Sequence, residues 1–119
     1  MIAVIFEVWP AEGRKDDYLG IATSLRDDLN RIDGFISVER FQSLTDSKKL
    51  LSLSFWRDEE AVKKWRSHSS HRDSPRQGRT GVFADYRLRV ASVLRDYGMT
   101  NRAEAPNDSR EIHDTQPSI

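Results

Sequence analysis

The chain has 119 residues, 32% of them charged and 37% hydrophobic, with 19 Lys and Arg against 19 Asp and Glu. That length allows one domain, and the balanced charge argues against a nucleic-acid-binding protein, which would carry a surplus of basic residues on one face. Without cysteine neither a disulfide framework nor a thiolate metal site is possible, and no apolar run is long enough to span a bilayer. Met1 leads straight into a strand pattern with no signal-peptide features, so a soluble cytoplasmic protein without membrane partners is expected.

Ile2 to Trp9 is apolar, β-branched or aromatic except for Glu7, and Pro10 ends it, which predicts a strand. From Gly13 to Asn30 the period changes. Tyr18, Ile21, Ala22, Leu25 and Leu29 recur at helical spacing, and Asp33-Gly34 marks the turn out of that helix. Phe35 to Leu44 and Lys49 to Trp56 read as two strands of a hairpin, joined by Thr45-Asp46-Ser47-Lys48. Asp58 is a good N-cap for a second helix running to about Ser70. Glu59 and Glu60 sit at its positive end, and Ala61, Val62 and Trp65 form its apolar face. Val82 to Tyr97 is strand-like again, with Tyr86, Leu88, Val90 and Leu94 on one side. The order β-α-β-β-α-β is the ferredoxin-like arrangement, an α+β protomer with an antiparallel four-stranded sheet and two helices on one face. Residues 1–98 form this domain. Residues 99–119, polar and poor in large apolar side chains, are expected to be a flexible tail.

Both faces of the predicted sheet are apolar. Strand one puts Ile2, Val4, Phe6 and Val8 on one side and Ala3, Ile5 and Trp9 on the other. Strand three sets Leu51, Leu53 and Phe55 against Leu50 and Trp56. Two helices cover one face only, so a second copy packed sheet to sheet is expected over the other. The last strand pattern, about 16 residues at roughly 3.3 Å each, overruns a compact protomer and is expected to bend at a bulge or reach across to the partner.

The chain resembles the antibiotic biosynthesis monooxygenase (ABM) domain family, dimeric α+β barrels of two ferredoxin-like protomers. The resemblance runs from Met1 to about Gly98. It rests on Ile2-Ala3-Val4-Ile5-Phe6-Glu7-Val8, Asp33-Gly34-Phe35 and Leu53-Ser54-Phe55-Trp56-Arg57-Asp58-Glu59-Glu60-Ala61, then on Trp65, His71-Arg72, Gly78-Arg79 and Asp85-Tyr86-Arg87-Leu88-Arg89-Val90. It implies a homodimer with a pocket between helices and sheet for an aromatic or polycyclic small molecule, and a cofactor-independent reaction with dioxygen. Haem degradation, found in other members, is the alternative that the position of His71 argues against. A third possibility is a non-catalytic dimer that binds a small molecule.

Several residues are candidates for that pocket. Glu7 is the single charge in an apolar strand, on the side of Ile5 and Trp9. It is either a pocket acid or base, or a strand-end carboxylate paired with an arginine. Trp65 is either core or an aromatic wall, and the roles are compatible. His71 is the first-choice base and His68 a lesser one; a polar helix end is the plain alternative for both. Arg72, Arg79 and Tyr86 are candidate contacts to a phenolate, carboxylate or oxygen-derived anion, against a reading as solvated surface groups. No metal-ligand spacing is present among three scattered histidines, so no metal and no cofactor are expected.

Overall fold

The computed structural model describes residues 1–68 and 81–113. Four strands, β1 (Ile2–Pro10), β2 (Phe35–Gln42), β3 (Leu50–Trp56) and β4 (Phe83–Ser92), form an antiparallel sheet in the order β2-β3-β1-β4. The helices are α1 (Lys15–Ser24), α2 (Arg26–Asn30), α3 (Glu59–Ser67) and α4 (Asn107–His113). Through β4 this is the ferredoxin-like α+β protomer.

The helix expected over Gly13 to Asn30 is interrupted at Leu25. The Thr23 hydroxyl donates to the Leu19 carbonyl (2.8 Å) and the Ser24 hydroxyl to the Ile21 carbonyl (2.7 Å), so side chains compete for backbone acceptors where α1 gives way to α2. Asp58 caps α3 as its sequence predicts, accepting from the Ala61 amide at 2.9 Å. Gly34, at φ +94°, makes the turn into β2, and a Cβ there would stand 2.7 Å from the Ala61 Cβ. Only glycine gives both that backbone conformation and that closeness to α3.

β4 ends at Ser92, short of the Val82–Tyr97 pattern. Ile2 pairs with Ser92, and the Val93 amide donates to Met1 O at 3.0 Å. The register shifts at Trp9/Pro10, where proline cannot donate to the ladder. Within the stretch read as a tail, α4 and its approach are held by local bonds: Arg110 donates to the carbonyls of Ala105 and Arg102 at 2.9 and 2.8 Å.

Register assigns each strand residue to a face. Toward the helices lie Val4, Phe6 and Val8 of β1, Leu50, Ser52, Ser54 and Trp56 of β3, Val38 and Arg40 of β2, and Tyr86, Leu88 and Val90 of β4. The other face carries Ala3, Ile5, Glu7 and Trp9, then Leu51, Leu53, Phe55, Phe41, Arg87 and Arg89. The covered side has two core clusters. One gathers Val8, Tyr18, Leu50 and Val82, the other Leu29, Trp56, Ala61 and Trp65.

Candidate functional site

Between the two clusters the core stays open. A cavity of about 330 Å³ lies over the sheet under the helices, near the lower end of the roughly 300–1,000 Å³ typical of small-molecule pockets. The sequence explains why it forms there. In β3 the covered face presents Ser52 and Ser54 between Leu50 and Trp56, so two small side chains occupy the middle of the floor. The Trp56 indole donates to the Ser54 hydroxyl at 2.9 Å, which satisfies that polar pair in place.

Aromatic rings wall the cavity at both ends. Phe6, Tyr18, Phe83 and Tyr86 form one linked group, with Phe6 to Tyr86 and Tyr18 to Phe83 each 5.6 Å between centroids. Trp56 and Trp65 form the other wall, braced by Phe35 at 5.2 Å from Trp56. Ile21, Leu25, Leu29, Val38 and Val62 complete an apolar lining.

Two cations and no carboxylate line this cavity among the described residues: Arg40 from β2 and Arg66 from α3. Arg66 is exposed. Arg40 is part-buried, and its Nε is fully buried without a hydrogen-bond acceptor. Tyr18 is its titratable neighbour. Burial pushes the Tyr18 phenol up, and the Arg40 guanidinium opposes that only in part, so the hydroxyl stays protonated and able to donate.

Trp65 and Tyr86, both anticipated from sequence, line the cavity. Trp65 is buried, whereas Tyr86 is half-exposed. His68 does not extend α3. Its backbone turns extended, and its ring stacks on Trp65 at 5.7 Å. Glu7 is on the opposite face from the cavity. Its carboxylate bonds Arg89 at 2.9 Å and Lys49 at 3.1 Å, which is the arginine-paired alternative weighed above. These contacts, Lys49 foremost, hold the Glu7 carboxyl below the usual carboxylate range. His71, Arg72 and Arg79 lie outside the described residues. Arg40 escaped the sequence reading. The signal for it was its alternation with Val38 on a strand whose neighbour carries Ser52 opposite.

The family model described as antibiotic biosynthesis monooxygenase matches residues 1–76. The chain is 50% identical over 93 residues to Jasmonate monooxygenase ABM of Pyricularia oryzae, covering 78% of this chain and 43% of that protein. The chain thus spans less than half the length of that relative. Two solved structures share the fold at 15% identity. Rv0793 from Mycobacterium tuberculosis has a TM-score of 0.73, covering 82% of this chain and 98% of its own. PA3566 from Pseudomonas aeruginosa has a TM-score of 0.68, covering 78% and 93%. No helix among the described residues is long and apolar enough to cross a membrane, and no three candidate metal-binding side chains cluster there. By its matched family model and its ferredoxin-like fold, the chain belongs to the antibiotic biosynthesis monooxygenase family.

Proposed function

We propose that the chain is a homodimeric monooxygenase that binds a ring-bearing apolar molecule in the cavity over its sheet and reacts it with dioxygen without a cofactor. The observation that carries this reading is a cavity walled by six aromatic side chains in a member of this family. Its volume suits one to a few fused rings. The name of the fungal relative, a jasmonate monooxygenase, supports a monooxygenase reaction.

An anthrone-type substrate balances the chemistry with no further reductant. A base removes the acidic proton, and the resulting carbanion or phenolate gives its electrons to dioxygen and forms a peroxide. Loss of water then leaves a carbonyl in place of the methylene, with one oxygen atom in the product and the other in water. His71 is the proposed base, Arg72 and Arg79 stabilise the developing anions, and Trp65 keeps the site dry. These three polar assignments rest on the resemblance.

The second copy is proposed to seat on the face the helices leave bare. Ile5, Leu51, Leu53 and Phe55 are only part-covered there, and Phe41 is 42% exposed. The test of the reaction is oxygen uptake with anthrone- and quinol-like compounds. Wild type should consume oxygen, and His71→Ala should lower the rate by about 100-fold or more, the typical loss on removing a general base. No uptake across a broad panel, with the variant indistinguishable from wild type, overturns the reading.

A further inference from the structure

Several charges on the sheet and its flanking turns are answered by neighbours among the described residues. Glu7 is bonded by Arg89 and Lys49, Asp33 and Asp58 by Arg57, and Asp46 by the Trp9 indole. Arg40 stands apart. No carboxylate pairs with it among the described residues, and its Nε is buried with no acceptor. A buried donor left unsatisfied costs about 1–3 kcal/mol, and more when the group is charged. An apolar residue would fill that place on the sheet without such a penalty.

Arg40 is also placed where a ligand would lie. In register it stands opposite Ser52, which is opposite Phe6, so the guanidinium is at the side of the cavity floor. Beside it the buried Tyr18 hydroxyl accepts from the Arg40 guanidinium and keeps its own proton to donate on the same wall. Nothing acidic lines the cavity among the described residues, so its interior field is positive and apolar surface surrounds it.

We infer that Arg40, assisted by Tyr18, anchors the carboxylate of a compact apolar monocarboxylic acid whose ring or chain fills the aromatic cavity. The planar guanidinium carries parallel N–H donors, which match the two oxygens of a carboxylate better than the single oxygen of a phenolate. In so dry a setting a bonded carboxylate supplies the counter-charge that Arg40 lacks among the described residues, so affinity for the anion and rejection of its neutral ester come from one group. The inference rests on the cavity being the ligand site of the proposed function, and it narrows that ligand to acids.

Binding of 4-cyclohexylbutanoate and of its methyl ester, measured by calorimetry and by quenching of Trp56 and Trp65 fluorescence, tests this. Wild type should bind the acid at least tenfold more tightly than the ester. In Arg40→Met the two affinities should come within about twofold, the ester's being unchanged, which reports an intact cavity. Arg40→Gln serves if the Met variant does not fold. Arg40→Lys, which keeps the charge without the fork, should recover only part of the preference, and Arg66→Met should leave it in place. Equal affinities in wild type, no binding of either probe, or a preference surviving in Arg40→Met overturns the anchor. So does full recovery by lysine or a collapse in Arg66→Met. Oxygen uptake separates the two readings: uptake without acid preference removes the anchor alone, and acid preference without uptake removes only the oxygenase.

Discussion

The two faces of the sheet carry charge in opposite ways. On the bare face Glu7 of the central strand β1 answers two cations: it bridges Lys49 and Arg89, and Lys49 also lies 5.1 Å from the centroid of the Trp9 ring. On the covered face, drier and more enclosed, Arg40 has no such answer among the described residues. A fold built for stability alone would reverse this, because unpaired charge is tolerated where water can reach it and penalised where it cannot. The difference is what the proposed arrangement requires, a second copy over the bare face and a small ligand on the helix side.

The largest way to break that contrast is to put a charge in the middle of the bare face. Leu53→Asp should dissociate the proposed dimer, weakening association by more than about 100-fold through burial of unpaired carboxylates, as sedimentation equilibrium would report. A variant still dimeric at micromolar dilution would move the interface elsewhere. On the covered face, Trp56→Ala removes a 2% exposed floor residue and should cost about 3–5 kcal/mol, read from the urea midpoint.

Smaller effects sharpen the comparison. Gly34→Ala should destabilise by about 2 kcal/mol, combining positive φ with the close approach of Ala61, and a loss below 0.5 kcal/mol would show that the turn can relax. Arg40→Met should leave the ligand-free melting temperature unchanged or raised, whereas Arg89→Met, which strips a partner from Glu7, should lower it. The reverse order would mean that Arg40 is a structural pillar. Last comes pH. The Glu7 carboxyl is held low in the fold by Lys49 and Arg89, so in acid the unfolded chain takes up its proton first. Its stabilising contribution is therefore complete above the ordinary carboxylate range and fades as pH falls through that range toward the lowered value of the folded state. Urea midpoints between about pH 6 and 3 should fall less steeply in Glu7→Gln than in wild type, and parallel curves would remove Glu7 from the acid response.

Much of this architecture is legible in the chain because strand period and capping are local. Ile5, Glu7 and Trp9 alternate with Val4, Phe6 and Val8, and that alone puts Glu7 on the side away from the helices. Asp58 announces α3 through a contact spanning three residues. The break at Leu25 was hidden because Thr23 and Ser24 decide it by hydroxyl bonds that a helical pattern does not reveal. The partner of Glu7 was hidden by distance along the chain, since Arg89 is 82 residues away. The cavity was hidden for a subtler reason. Arg40 in Val38-Glu39-Arg40-Phe41 looks like an ordinary polar position of an edge strand. Only its register with Ser52 and Phe6 reveals that it looks inward.

β4 pairs with β1 alone among the described residues, which leaves its outer row of amides and carbonyls as a template that a stray strand could extend. Asp85, Arg87 and Arg89 recur at every second position along it, and a chain docking edge-on would have to bring its own side chains against that fence of charge. Making Arg87 and Arg89 apolar would thus remove a guard against fibrous self-association, even while it enlarged the apolar surface offered to the proposed partner copy.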